Sequence, residues 1–184
     1  MIPPDFATFW RQAAQQGLSK HVKICQIAKA GLFPDFIESL GDLGPNIASA
    51  LYWHKTFPYK SSLTGVSGVE LCDGYEASAG KQWTQQLGAS LAAFDVGFAA
   101  LAASSNPKDK AAVAKAIAGL KTTTINGVVD FTSGPVPNIS PGPILGAQWV
   151  KAPAGSKYKL DYIITENATD KNVAVGSKLL PFNA

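Results

Sequence analysis

Charge is scarce in this chain: Asp, Glu, Lys and Arg make up 16% of its 184 residues, against roughly 25% in an ordinary domain. That scarcity excludes a disordered acidic tail. The formal net charge is only +3, and the lysines stand singly, so no electrostatic footprint for nucleic acid is present. No stretch approaches ~18 uninterrupted apolar residues, so no bilayer span is expected. Cysteine is reduced to Cys25 and Cys72; two thiols allow one disulfide, and nothing in the sequence decides whether they are bonded or simply buried. The two histidines, His21 and His54, have no cysteine or second histidine at ligand spacing, so no metal site is expected. The opening Met1-Ile2-Pro3-Pro4-Asp5 lacks the basic and apolar regions of a secretory signal. What remains is 46% apolar, and a chain this long buries roughly 70% of its unfolded surface without a staple.

The apolar pattern alternates between two periods. Phe6, Phe9, Trp10 and Ala13 recur at helical spacing behind Pro4 and Asp5, and Gly17 can end that helix. Val22–Ala28 reads as a strand, Pro34–Leu40 as a short helix closed by Gly41, and Ile47–Trp53 as a second strand. Strand, helix, strand implies a parallel pair with a crossover. Helices are then expected over Val66–Ala79 and Gln86–Ala103, with a third opened by Asn106 as N-cap and Pro107 at the first position. Extended pieces flank Asn126-Gly127, four prolines stiffen 135–143, and a hairpin is expected from Ile144–Lys151 and Tyr158–Thr165. The chain thus leaves one layer system, visits another and returns.

Catalytic chemistry finds little support. Gly88-Ala89-Ser90-Leu91-Ala92 approaches a nucleophile elbow, but its last position is Ala and it lies inside a helical run. The turn Ala30-Gly31-Leu32-Phe33-Pro34 has one glycine and no lysine, unlike a phosphate cradle. Its place is informative, because open parallel sheets bind ligands beyond the carboxyl ends of their strands. Phe33 follows the first strand; Tyr52, Trp53 and His54 end the second. Phe33 and Trp53 suit a mouth that stacks on a solute, with His54 as a hydrogen-bonding group, and equally suit closure of a core.

Six segments, in this order, carry a resemblance: Pro4-Asp5-Phe6-Ala7-Thr8-Phe9-Trp10; Ala28-Lys29-Ala30-Gly31-Leu32-Phe33-Pro34; Phe57-Pro58-Tyr59-Lys60-Ser61-Ser62-Leu63-Thr64-Gly65; Tyr75-Glu76-Ala77-Ser78-Ala79-Gly80-Lys81-Gln82-Trp83; Gly127-Val128-Val129-Asp130-Phe131; and Gly146-Ala147-Gln148-Trp149. Together they resemble the carboxyl-terminal part of a type I periplasmic solute-binding protein, of the branched-chain amino-acid type that serves ABC importers. The resemblance implies an α/β fold containing portions of both lobes of a clamshell, its amino-terminal half missing. Residues 1–54 would supply βα units of the second lobe, 55–130 helices of the first lobe with hinge crossings, and 131–184 the return to the second lobe.

The resemblance further implies a periplasmic protein without catalysis or cofactor, which captures a small organic solute and works with the membrane subunits of an importer. Phe33, Trp53 and His54 would line the cleft, with Gln86 and Ser90 contributing from the first lobe's helix. Amino-acid binders of this family place an acidic residue after the second-lobe strand. Here Gly31-Leu32-Phe33 carries none before Asp35, which tilts the solute from branched-chain amino acids toward aromatic or aliphatic carboxylates. The missing half implies open sheet edges and uncovered helix faces, and hence self-association or a complementing amino-terminal half. The alternative is a structural, interacting remnant that oligomerises and binds no solute.

Overall fold

In the computed structural model, which describes residues 1–183, the chain divides into two compact units. One comprises Met1–Leu51 with Ile144–Ala184, and the other comprises Tyr52–Pro143. The division falls three residues before the expected boundary at 54/55, and the proline-rich residues 131–143 go with the central unit.

The first unit is built on a four-stranded sheet of order β1-β2-β5-β6, with β1 at Cys25–Ile27, β2 at Ile47–Leu51, β5 at Leu145–Lys151 and β6 at Leu160–Glu166. The expected parallel pair is present: β1 runs with β2, Cys25 opposite Ile47. The returning hairpin joins it antiparallel, with Ala48 opposite Gln148. Alternation gives β5 one face of Leu145, Ala147 and Trp149 and β6 one of Leu160, Tyr162 and Ile164, all buried. Trp149 and Tyr162, directly opposite each other, stack at 4.4 Å, the kind of cross-strand pair that fixes register.

Helix α1 (Pro3–Gln15) buries Phe6, Ala7, Trp10 and Ala13, close to the face the sequence predicts. Trp10 meets Phe182 edge-on at 5.0 Å, and Phe6 meets Phe36 of α2 (Pro34–Ser39). Both tryptophan N–H groups find carbonyls, Trp10 Nε1 at Leu43 (3.1 Å) and Trp149 Nε1 at Gly31 (2.8 Å), as buried indoles require. The carboxyl-terminal tail belongs to this unit: Gln148 holds it through Leu180, whose carbonyl accepts from Nε2 and whose N–H donates to Oε1. Strand β1 is shorter than Val22–Ala28 because the Lys23 carbonyl accepts from Phe182 N–H of the tail instead of entering the ladder.

The central unit holds α3 (Gly68–Ala79), α4 (Gln86–Ala103), α5 (Lys110–Ala118) and the hairpin β3 (Lys121–Thr124)–β4 (Gly127–Asp130). Ser67 and Glu70 form a reciprocal capping box on α3, and Gly80 ends it in the left-handed region at φ 65°. Those hydrogen bonds from Ser67 hold the Glu70 carboxyl below its ordinary pKa, with Lys60 assisting. Helix α5 starts later than expected. Asp109, not Asn106, is its N-cap, accepting from Ala111 N–H, whereas Asn106 closes a turn by accepting from Lys108 N–H.

Helix α4 occupies the expected residues. Its 18 residues have mean hydropathy 1.4, so by length and composition it could cross a membrane. Here its buried line is Gly88, Ala92, Asp95 and Ala100, and its outer line is apolar as well. Phe94, Phe98 and Leu101 are 60%, 51% and 40% exposed, with Ala93 and Gly97 between them. A helix apolar all round is one shaped to be covered on more than one side.

The two glycines of α4 separate fit from propensity. A Cβ on Gly88 would lie 2.0 Å from the Trp53 ring, whereas one on Gly97 would meet nothing within 4 Å. Gly97→Ala is therefore expected to stabilise the chain by about 0.5–1 kcal/mol through helix propensity. Gly88→Ala should destabilise it by about 3 kcal/mol through overpacking. Urea denaturation of the two variants beside the parent checks both signs.

Candidate functional site

The strand β2 runs into the central unit through Tyr52, Trp53 and His54, and these residues meet the segment that opens α4. Tyr52 N–H donates to Gln85 Oε1 at 3.0 Å, and burial raises the Tyr52 phenol's pKa. Trp53 is 0% exposed. Its ring fills the space left by Gly88, and its indole N–H donates to the Ile125 carbonyl at 3.1 Å. Of the two parts the sequence allows it, the part Trp53 plays within this unit is closure of the core.

His54 is also buried, and its ring meets Trp83 edge-on at 4.8 Å. Its Nδ1 accepts the Thr56 backbone N–H at 3.2 Å and lies 2.8 Å from the Thr56 hydroxyl. A backbone N–H can only donate, so Nδ1 acts as the acceptor in that contact. Trp83 stands edge-on to Trp53 at 5.9 Å and takes the Lys55 ammonium over its ring at 5.8 Å from the centroid. That places a cation within reach of the aromatic face.

Gln86 and Ser90 lie one turn apart on α4, on one side of the helix. Gln86 Oε1 is buried with no hydrogen-bond partner, an acceptor aimed where nothing answers it. Ser90 is exposed. Trp53 thus packs against Gly88 of α4 and His54 against Trp83 just before it, while Gln86 stands in the first turn of α4 and Ser90 one turn on. Phe33 belongs to the other unit, where it is half-buried and provides the extended N-cap of α2. Sequence reading passed over Trp83, Gln85 and Lys55 as site residues. Their one signal was position, at a crossing and a helix start.

Beneath this cluster lies a buried carboxylate. Asp95 is 1% exposed. Its Oδ1 accepts from the Ser61 hydroxyl at 2.6 Å and Leu63 N–H at 3.0 Å, and its Oδ2 accepts from Ile125 N–H at 3.0 Å. Three donors satisfy a charge that burial would otherwise make costly. Elsewhere in this unit, Asp130 is held well below the usual carboxylate range, first by the Thr132 hydroxyl and N–H and then by Lys121 at 3.2 Å.

Two cavities accompany these features. A groove of about 420 Å³ in the central unit is lined by α4 (Ala89, Ala92, Val96) and by Asn126 and Val128 of the hairpin. Another of about 450 Å³ in the sheet unit is lined by Gln26, Ser49, Gly146, Thr165 and Glu166. No group of three or more metal-ligating side chains occurs among the described residues.

Both thiols are free and buried. Burial raises Cys25 to about 11 and Cys72 to about 12. Neither should react with Ellman's reagent at pH 8 until denaturant is added, since the thiolate is the reactive form. Because the unfolded thiols ionise near pH 9 while the folded ones stay protonated, stability should fall as pH rises from about 9 toward 11–12. Cys72→Ala should flatten that decline in alkaline denaturation curves.

No family model and no curated protein matches the chain. Solved structures do. An amino acid ABC transporter substrate-binding protein from Pseudomonas fluorescens is 22% identical, with TM-score 0.61, over 94% of this chain and 44% of its own. A leucine-binding protein from Thermotoga maritima is 16% identical, with TM-score 0.65, over 91% and 43%. A solute-binding protein of an ABC transporter from Rhodopseudomonas palustris, in complex with 3,4-dihydroxybenzoic acid, is 18% identical, with TM-score 0.64, over 92% and 43%. The chain thus spans less than half the length of these proteins. Its fold is that of type I periplasmic binding proteins, of which it carries portions of both lobes.

Proposed function

We propose that the chain is a solute-binding component of an ABC importer that captures a small organic solute by closure of two lobes and catalyses nothing. The observation that supports this most is the match of more than nine-tenths of the chain to solute-binding proteins of ABC transporters. On this reading the protein acts in the periplasm and delivers its solute to the importer's membrane subunits.

The site's chemistry favours an aromatic or aliphatic carboxylate over a branched-chain amino acid. The His54 imidazole and the Lys55 ammonium bring a polar ring and a positive charge, Gln86 an amide, and Ser90 a hydroxyl. No acidic side chain stands in Gly31-Leu32-Phe33 to pair an ammonium. A second reading, an interaction module that oligomerises without a solute, is favoured by one observation, the exposed apolar line of α4.

Calorimetric titration separates the readings. Benzoate and 3,4-dihydroxybenzoate are expected to give binding heat, and leucine less. His54→Ala or Gln86→Ala should each weaken binding about tenfold, the loss of one hydrogen bond to a charged group. Heat with leucine alone would overturn the preference for carboxylates. An oligomer that takes up none of the three would establish the second reading in place of the first.

A further inference from the structure

We infer that Asp95 is a positioning residue for the candidate site: from inside α4 it sets His54 in place through the backbone of Ile125. The path is two hydrogen bonds long. Asp95 Oδ2 accepts from Ile125 N–H at 3.0 Å, and the carbonyl of the same Ile125 accepts the Trp53 indole N–H at 3.1 Å. Trp53 is the neighbour of His54 in sequence, and Trp53, Ile125 and Asp95 are 0%, 0% and 1% exposed. Close packing leaves such a buried chain few alternative arrangements.

Gly88 completes the constraint. Its missing Cβ lets the Trp53 ring lie against α4, so the indole is fixed by a helix on one side and a hairpin turn on the other. The other oxygen of Asp95 has a different task. It accepts from Ser61 and Leu63 and so holds the loop that follows His54. One carboxylate thereby grips the chain on both sides of the 52–60 passage, at Ser61 and Leu63 directly and at Trp53 through Ile125. The Thr124 hydroxyl supports the turn by donating to the Gly127 carbonyl at 2.9 Å while accepting from Asn126 N–H.

This rests on His54 being a solute contact, and the test keeps the two apart. Asp95→Asn preserves the shape and can keep an oxygen toward Ser61 and Leu63, but turns an NH₂ toward Ile125 N–H. Hydrogen exchange by NMR is expected to show the Trp53 indole and the Ile125 amide exchanging about tenfold faster. Leu63 and the indoles of Trp10 and Trp149 in the other unit should not change. A uniform loss of protection across the protein, or an unmoved Trp53, would overturn the inference.

If Asp95→Asn does not fold, the parent protein decides. Its Trp53 indole and Ile125 amide must then show matching protection, and independent exchange at the two would overturn the inference. Titration with benzoate well below the unfolding midpoint adds the functional readout. Affinity should fall about tenfold in Asp95→Asn, and unchanged affinity with altered exchange would refute the positioning role. A parent protein that takes up neither benzoate nor leucine would refute the solute reading, while the exchange pattern would still judge the hydrogen-bond path.

Discussion

The central unit is organised around a charge that has been taken out of water. Burying a carboxylate is unfavourable unless its lone pairs are met, and at Asp95 they are met by a hydroxyl and two backbone N–H groups drawn from two distant parts of the chain. Those donors then cannot move independently. The loop after His54, the hairpin turn and α4 are fixed to one another by a single side chain, and Trp53 is placed by the same arrangement. An apolar residue at this position would pack, but it would leave the buried Ile125 N–H and the Ser61 hydroxyl without their acceptor and so release the segments that the carboxylate joins.

Much of the fold could be read from local chemistry. Helix α4 starts and stops where expected because Ala, Leu and Phe continue without a proline from Gln86 to Ala103. The hairpin at Asn126-Gly127 follows from glycine's tolerance of positive φ, here 105°. The parallel β1–β2 pair followed from a strand, helix, strand order. The departures have equally local causes. Lys23 is claimed by the tail, which shortens β1, and the start of α5 moves to Asp109 because that residue reaches the helix N–H groups while Asn106 is occupied in its own turn.

The site was less legible. A tryptophan at the end of a strand reads equally as a wall for a solute or as a plug for a core. The choice was made by Gly88, 35 positions later in the chain, whose lack of a side chain leaves room for the ring. Asp95 carried no sequence signal either, because a lone carboxylate in an apolar helix says nothing of the three donors that will surround it. Pairing across long sequence separations is what a linear reading cannot supply, and the candidate residues lie where such pairings decide orientation.

The sheet unit is discontinuous in sequence. Ala48 meets Gln148 at the middle of its sheet, a hundred positions later, whereas the whole central unit is one uninterrupted stretch. On a ribosome, then, the central unit emerges entire and can compact while β2, with β1 on one side, still waits for β5 on the other. Compaction of the insert also shortens the span that must close when β5 arrives, lowering the entropic cost of that late pairing. Vectorial synthesis and the topology of the chain therefore favour the same order of assembly, inner unit first and outer sheet last.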